Sequence, residues 1–372
     1  MARIVLGSYM ARYPLGGMMS WVLQYLVGFA RLGHDVYFVE RADYPDACFD
    51  PRSGEMTDDG AYGAAVVEEL LASVGLGARS CFVDHRGRRH GLEGDVFAGA
   101  DLFVDMGTHG AWAEEARAAG LRVLIDGEPG FTQAKMERAG GPPADYDAYY
   151  TTGRNIGTAA SDAPTAGRDW RPIFHPVAPE LFEAAPAPAG APFTTVMNWR
   201  SHDRVEWRGR LYGHKDLEFE RFRDLPGLVD VPLEAAVAGA GVPAEDLRAR
   251  GWRLRDAHAT TMSFDGFRDY LRDSAGEFGV CKQAFVSTWS GWFSDRSVCY
   301  LASGRPVIAQ DTGFSDWLAT GSGVLSYQTA EQAAAALDEL GRDYRRHSRA
   351  ARQLAEDVFD SDRVLTRLLA CL

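Results

Sequence analysis

The sequence predicts an α/β protein made of two parallel-sheet domains. Short apolar runs of strand length alternate with helical patterns through both halves of its 372 residues, as in serial βαβ units. The chain opens as strand, glycine-bearing turn, helix, strand. A stiff Pro/Ala segment, Ala184-Ala185-Pro186-Ala187-Pro188-Ala189-Gly190-Ala191-Pro192, divides it into pieces of ordinary domain size.

In the first half, Arg3 to Gly7 reads as a buried strand. Its loop ends in Pro14-Leu15-Gly16-Gly17, and a helix runs from Met18 to Leu32. Gly33-His34 ends the helix, and Asp35 to Glu40 is the second strand. Gly16 and Gly17 let the backbone approach a ligand or simply permit a tight turn. The G-x-G-x-x-G order is absent, which argues against NAD. Residues 44–59 read as loop, 61–74 as helix and 79–91 as a small hairpin. Strands over 101–105 and 121–125 flank an expected helix at 111–119. Both strands should end on one carboxyl edge, where α/β sheets gather ligand contacts. Asp105, His109, Asp126 and Glu128 therefore converge. Alone, each is explained by a cap or turn. Together they offer a base for taking a hydroxyl proton, with Asp126, Glu128 and His109 ahead of Asp105. A further strand covers 146–151.

In the second half, Phe193 to Met197 is a strand ending in Asn198-Trp199-Arg200. Residues 201–214 are basic and aromatic, including His202, and lead through Arg210 to Lys215 and a helix. A local basic cluster in an acidic protein suits a phosphate, with Arg as a fork and Lys as a point charge. Residues 235–237 and 244–250 read as helical, 251–254 as strand, and Ser263 caps a helix to Arg272. Glu277 to Lys282 is strand and turn, with Glu277 and Lys282 either facing a ligand or pairing with each other. Ser290-Gly291-Trp292-Phe293 is a small-residue turn. Ser294 and Asp295 cap a helix that Gly304 ends. A buried strand over 305–309 leads into Gln310-Asp311-Thr312-Gly313. A helix N-terminus with Arg296 beside it can hold a phosphate. A polar loop past a parallel strand can hold sugar hydroxyls.

The stretch 290–314 resembles the donor-binding segment of GT-B glycosyltransferases. There a loop and helix N-terminus take the nucleotide diphosphate, the helix ends in Gly-x-Pro-Val, and an acidic or amide loop reads the sugar. Here those features are Ser290, Gly291, Ser294, Asp295 and Arg296, then Gly304-Arg305-Pro306-Val307, then Gln310, Asp311, Thr312 and Gly313. One subfamily carries two Glu eight residues apart; Gly291 and Cys299 stand in those places here. The resemblance implies two Rossmann-like domains facing across a cleft. It implies an acceptor domain over 1–184, a donor domain over 192–358 and a final helix, 359–372, returning toward the first. It further implies metal-independent sugar transfer from a UDP, dTDP or GDP donor to a small-molecule or glycan acceptor, with no tightly bound cofactor. Asn198, Arg200, Arg210 and Lys215 become candidate donor contacts, and Gly16 and Gly17 a cleft loop. The rivals are a sugar-nucleotide epimerase of the same fold and a non-catalytic nucleotide-sugar-binding partner protein.

Net charge is −13, which disfavours nucleic acid or an anionic membrane as partner. No apolar stretch reaches the length of a membrane span. Five cysteines with no C-x-x-C spacing read as unpaired thiols of a reducing cytoplasm. Arginine far outnumbers lysine, as in a GC-rich bacterial gene. With the departures from the commonest subfamilies, this points to natural-product or specialised glycan chemistry. Asp360-Ser361-Asp362 has metal-like spacing but suits a helix cap better.

Overall fold

The computed structural model describes residues 1–201 and 203–372; His202 lies outside the described residues. The N-terminal domain contains β1 (Arg3–Gly7), β2 (Asp35–Arg41), a small hairpin of β3 (Cys48–Asp50) and β4 (Glu55–Thr57), β5 (Ser80–Val83), β6 (Arg89–Gly91), β7 (Leu102–Asp105), β8 (Leu121–Asp126), β9 (Ala148–Thr151) and β10 (Trp170–Pro172). Its sheet runs β10-β9-β8-β7-β1-β2-β5-β6. Only the β5–β6 edge pair is antiparallel. The second domain contains β11 (Phe193–Asn198), a hairpin of β12 (Val205–Trp207) and β13 (Arg210–Tyr212), β14 (Leu233–Ala238), β15 (Arg253–Asp256), β16 (Gly276–Gly279), β17 (Val307–Gln310) and β18 (Val324–Tyr327). Its sheet is wholly parallel, in the order β15-β14-β11-β16-β17-β18. In each sheet the strand order reverses at the domain's first strand, the crevice position at which doubly wound sheets bind ligands.

Three expectations change. The segment 111–119 is not a full helix; it holds a single 3₁₀ turn, Glu115–Ala118. Gly107, His109 and Gly110 just before it have φ of +94°, +53° and +81°, which a helix cannot accommodate. Residues 235–237 lie in β14, not a helix. Their alanines favour helix locally, but pairing with β11 and β15 on either side overrides that preference. Residues 44–59 carry the β3–β4 hairpin.

One apolar cluster joins the domains. It runs from Ile4 and Leu6 through the Gly16–Arg31 helix to Val298, Leu301 and Val307. The helix Ser361–Ala370 packs on the Gly16–Arg31 helix, where a Cβ on Gly28 would lie 2.6 Å from Leu365 Cδ1. Arg305, fully buried, clips the linker by donating to the carbonyls of Ala185 (2.6 Å) and Arg272. Asp360 accepts from the Asp362 amide at 2.9 Å and so caps the last helix. No helix among the described residues is long and apolar enough to cross a membrane.

Gly16 serves this packing. Its amide donates to Thr261 O at 2.6 Å, and an added Cβ would sit 2.3 Å from Ser263 O and 2.5 Å from Phe267 Cβ. Gly17 has only Phe267 Cε2 nearby, at 4.0 Å. The glycine pair therefore meets the other domain in place of the cleft loop expected from sequence. Gly16→Ala should cost about 1–3 kcal/mol by overpacking, read in chemical denaturation; an unchanged midpoint would mean that the domain contact carries no stability.

Candidate active site

The loops beyond the carboxyl ends of the two sheets meet face to face. Lys282, after β16, pairs with Glu128, after β8. Phe131 stacks on His214, with ring centroids 5.2 Å apart. Asn155, after β9, donates its amide to Ser290 O at 2.9 Å and its Nδ2 to Trp289 O at 3.1 Å. Gly291, with φ +76°, allows this approach, since a Cβ there would lie 2.9 Å from Asn155 N. On the first domain's wall, buried Glu40 accepts the amides of Met10, Ala11 and Arg12 together with Arg12 Nε. This fixes the loop carrying Tyr9, whose ring lies 5.9 Å from Trp21.

On the donor wall the helix Asp295–Ala302 starts at Ser294, whose Oγ accepts from Arg296 N at 3.2 Å. Lys215 begins the short helix Lys215–Phe219 and is 7% exposed. Burial first, then the Arg296 charge, brings its pKa down to about 7. Lys215 makes no hydrogen bond or ion pair with any described residue. Arg296, expected to grip the diphosphate, is instead committed within the protein. It donates to Glu277 Oε1 at 2.6 Å and to Val196 O at 2.9 Å. Burial opposes its charge most strongly, but Glu277, Tyr300 and Asp295 together outweigh burial and keep the pKa above the ordinary value. Glu277 and Lys282 thus do not pair with each other. Around Asp295 several buried polar atoms lack partners among the described residues: Ser290 Oγ, Trp292 Nε1, Tyr25 OH and both nitrogens of His175. Tyr25 and His175 both feel the Asp295 charge, and His175 stands edge-on to Trp292 at 6.5 Å. Buried polar atoms left without partners are the exception in folded proteins.

The loop after β17 departs from its expected role of reading sugar hydroxyls. Gln310 accepts from Cys281 N at 3.1 Å and donates to Glu218 at 2.6 Å. Asp311 accepts from Gly313 N and Ser315 Oγ, and Thr312 donates to Trp292 O at 2.5 Å. Gly313, with φ +93°, turns the chain beside Asn155 and Trp289. These groups are used in fixing loops because the fully buried loop must satisfy its own polar atoms. Arg200 pairs with Asp216 at 2.7 Å, beside exposed Asn198 at the end of β11. Arg210 lies on β13 and pairs with Asp162 of the first domain. Cys299 packs against Ser20 at 3.4 Å.

Among the three candidate bases, Asp126 is 3% exposed and both of its oxygens are occupied. Oδ1 accepts from Glu128 N (2.8 Å) and Thr132 Oγ1 (2.5 Å); Oδ2 accepts from Thr151 Oγ1 (2.8 Å) and Gln133 Nε2 (2.9 Å). Burial raises its pKa against these bonds. Asp126 anchors the loop that presents Glu128. Glu128 is half-buried and faces Lys282 across the domains. His109 is exposed, and packing around the ring, then the Lys135 charge, lower its pKa. Sequence reasoning missed Lys135 and Asn155, which carry no motif.

No protein-family model and no curated protein sequence matches the chain. Solved structures do. HepE from Anabaena, in complex with UDP and glucose, is 12% identical with a TM-score of 0.57 over 100% of both chains. AviGT4, a glycosyltransferase of avilamycin A biosynthesis, is 15% identical with a TM-score of 0.54 over 100% of this chain and 97% of its own. An alpha-glucosyltransferase in complex with UDP and a 13-mer DNA is 9% identical with a TM-score of 0.54 over 100% and 98%. The chain has the GT-B fold, two Rossmann-like domains facing across a cleft.

Proposed function

We propose that this protein is a glycosyltransferase that moves a sugar from a nucleoside-diphosphate donor, held by the second domain, to a hydroxyl acceptor on the first. The observation that carries the reading is Lys215, a buried lysine at the switch point of the donor sheet that makes no hydrogen bond or ion pair with a described residue. Buried charges are paired or hold a ligand. A diphosphate supplies the missing anion, and the N-terminus of the Asp295–Ala302 helix adds its dipole. The unpartnered atoms around Asp295 suit ribose and sugar hydroxyls. In the transfer, the acceptor oxygen bonds to the anomeric carbon, whose bond to the β-phosphate oxygen breaks. The electron pair leaves on the diphosphate, stabilised by Lys215. The acceptor proton passes to Glu128, which Asp126 positions.

UDP bound to two of the structural neighbours supports a UDP-type donor, and AviGT4 supports natural-product chemistry. The DNA complex of the third neighbour raises a nucleic-acid acceptor, but a charge of −13 favours a small molecule or glycan. Five unpaired thiols fit a reducing compartment, and we place the protein in the cytoplasm. Positive charge supplied by the protein makes the transfer metal-independent, so activity should persist in EDTA. A thermal-shift panel of UDP, dTDP, GDP, ADP and NAD tests the reading: stabilisation by one nucleoside diphosphate supports it, and none, or NAD alone, overturns it. Glu128→Gln should lower kcat about a hundredfold while donor affinity stays. Unchanged kcat would pass the role of base to His109.

A further inference from the structure

Of the 39 basic residues, only Lys135, Lys215 and Lys282 are lysines, and all three gather at the cleft. Every other described ion pair is made by arginine or histidine. Where arginine serves every general need for positive charge, a lysine marks a place that needs a compact charge with rotatable donors. Lys215 is accounted for by the diphosphate. The other two are not. Lys135 Nζ lies 5.9 Å and Lys282 Nζ 5.4 Å from the centroid of the same ring, Phe131. Glu128 answers both, pairing with Lys282 and felt by Lys135, which also feels buried Asp126. Lys135 makes no hydrogen bond or ion pair with a described residue. Its own helix, Phe131–Ala139, holds it on the first domain's side, while Lys282 comes from the second. Two ammonium groups brought together across a cleft repel unless an anion lies between them.

We propose that Lys135 and Lys282 form a second anion subsite, which takes a carboxylate or phosphate on the molecule that meets the donor diphosphate. The inference rests on the glycosyltransferase reading. The anion belongs either to the transferred sugar or to the acceptor. In the ligand-free protein Glu128 occupies Lys282. A bound anion shares both ammonium groups and releases Glu128 toward the acceptor hydroxyl. Burial first lowers the pKa of Lys135, which Lys282 reinforces and Glu128 and Asp126 oppose.

Three lysines make the test direct. The wild-type protein is acylated with an amine-selective reagent, and each lysine is followed by peptide mass. The nucleoside diphosphate that binds should protect Lys215. Inorganic phosphate added on top should then slow acylation of Lys135 about threefold or more. In Glu128→Gln, which removes the internal competitor for Lys282, half-protection should need about fivefold less phosphate. Protection by UDP-glucuronate and not UDP-glucose places the anion on the sugar; protection by glucose 6-phosphate and not glucose places it on the acceptor. Acylation of Lys135 unaffected by phosphate overturns the subsite, as does equal protection in Lys282→Gln. Failure of every nucleotide to protect Lys215 instead overturns the glycosyltransferase reading, and the two failures are read at different residues.

Discussion

Replacing Lys215 by methionine should raise the melting temperature of the ligand-free protein and remove its affinity for nucleoside diphosphates. Both effects come from one cause. Burial brings the ammonium pKa from 10.5 to about 7. The folded state therefore binds the proton more weakly than the unfolded chain does. At pH 7 that difference is worth about 4 kcal/mol as a ceiling, at 1.4 kcal/mol per unit. The sign follows from proton counting. Below pH 7 both states are protonated and the penalty is full. Between about 7 and 10.5 the unfolded state holds more protons, so wild-type stability rises with pH; above that window the contribution is constant. Methionine fills a similar volume without a charge and should lack this slope, gaining up to about 5 °C near pH 7. Binding runs the other way, because a diphosphate favours the ammonium. Loss of a buried charge-assisted contact costs about 3 kcal/mol, or some hundredfold in Kd. Wild-type affinity should fall up to about tenfold per pH unit above pH 7, and Lys215→Arg should flatten that dependence. A lower melting temperature with unchanged affinity in Lys215→Met would mean that Lys215 is structural.

What sequence could show here divides by the kind of information each residue needs. The alternation of strands and helices, the caps at Ser263 and Ser294, and the opening strand-helix-strand unit were legible because they are local or follow from connection rules. Lys215 was legible as a basic residue following the first strand of its domain, but its isolation was not, since burial and missing partners are tertiary facts. Gln310, Asp311 and Thr312 misled for the complementary reason. They sit at a strand end, where ligand contacts gather, yet that loop is buried and uses its own side chains to satisfy its backbone. Gly16 looked like a ligand approach and is a helix-to-helix approach, because both require a missing Cβ. The three lysines were countable from the start; only the fold brings Lys135 and Lys282 to one ring.

Arg296→Ala should destabilise the protein by about 3–5 kcal/mol, a fall of about 5 °C, before any question of catalysis arises. Glu277 is fully buried on β16, and its Oε2 has no partner among the described residues. Among the described residues Arg296 supplies its only ion pair, through Oε1 at 2.6 Å. Removing the guanidinium strands a carboxylate in the core, whereas removing both members leaves a site that apolar side chains can fill. Arg296→Met with Glu277→Leu should therefore recover most of the stability. Nucleotide affinity separates the two roles open to Arg296. If it acts by neutralising Glu277, the single variant leaves that carboxylate free to attract Lys215 away from the diphosphate, and affinity falls. In the double variant the competitor is gone and affinity returns. If Arg296 instead leaves Glu277 to grip the diphosphate, affinity stays lost in both variants. Melting curves and nucleotide titrations on the two proteins decide between these outcomes, and the geometry favours recovery.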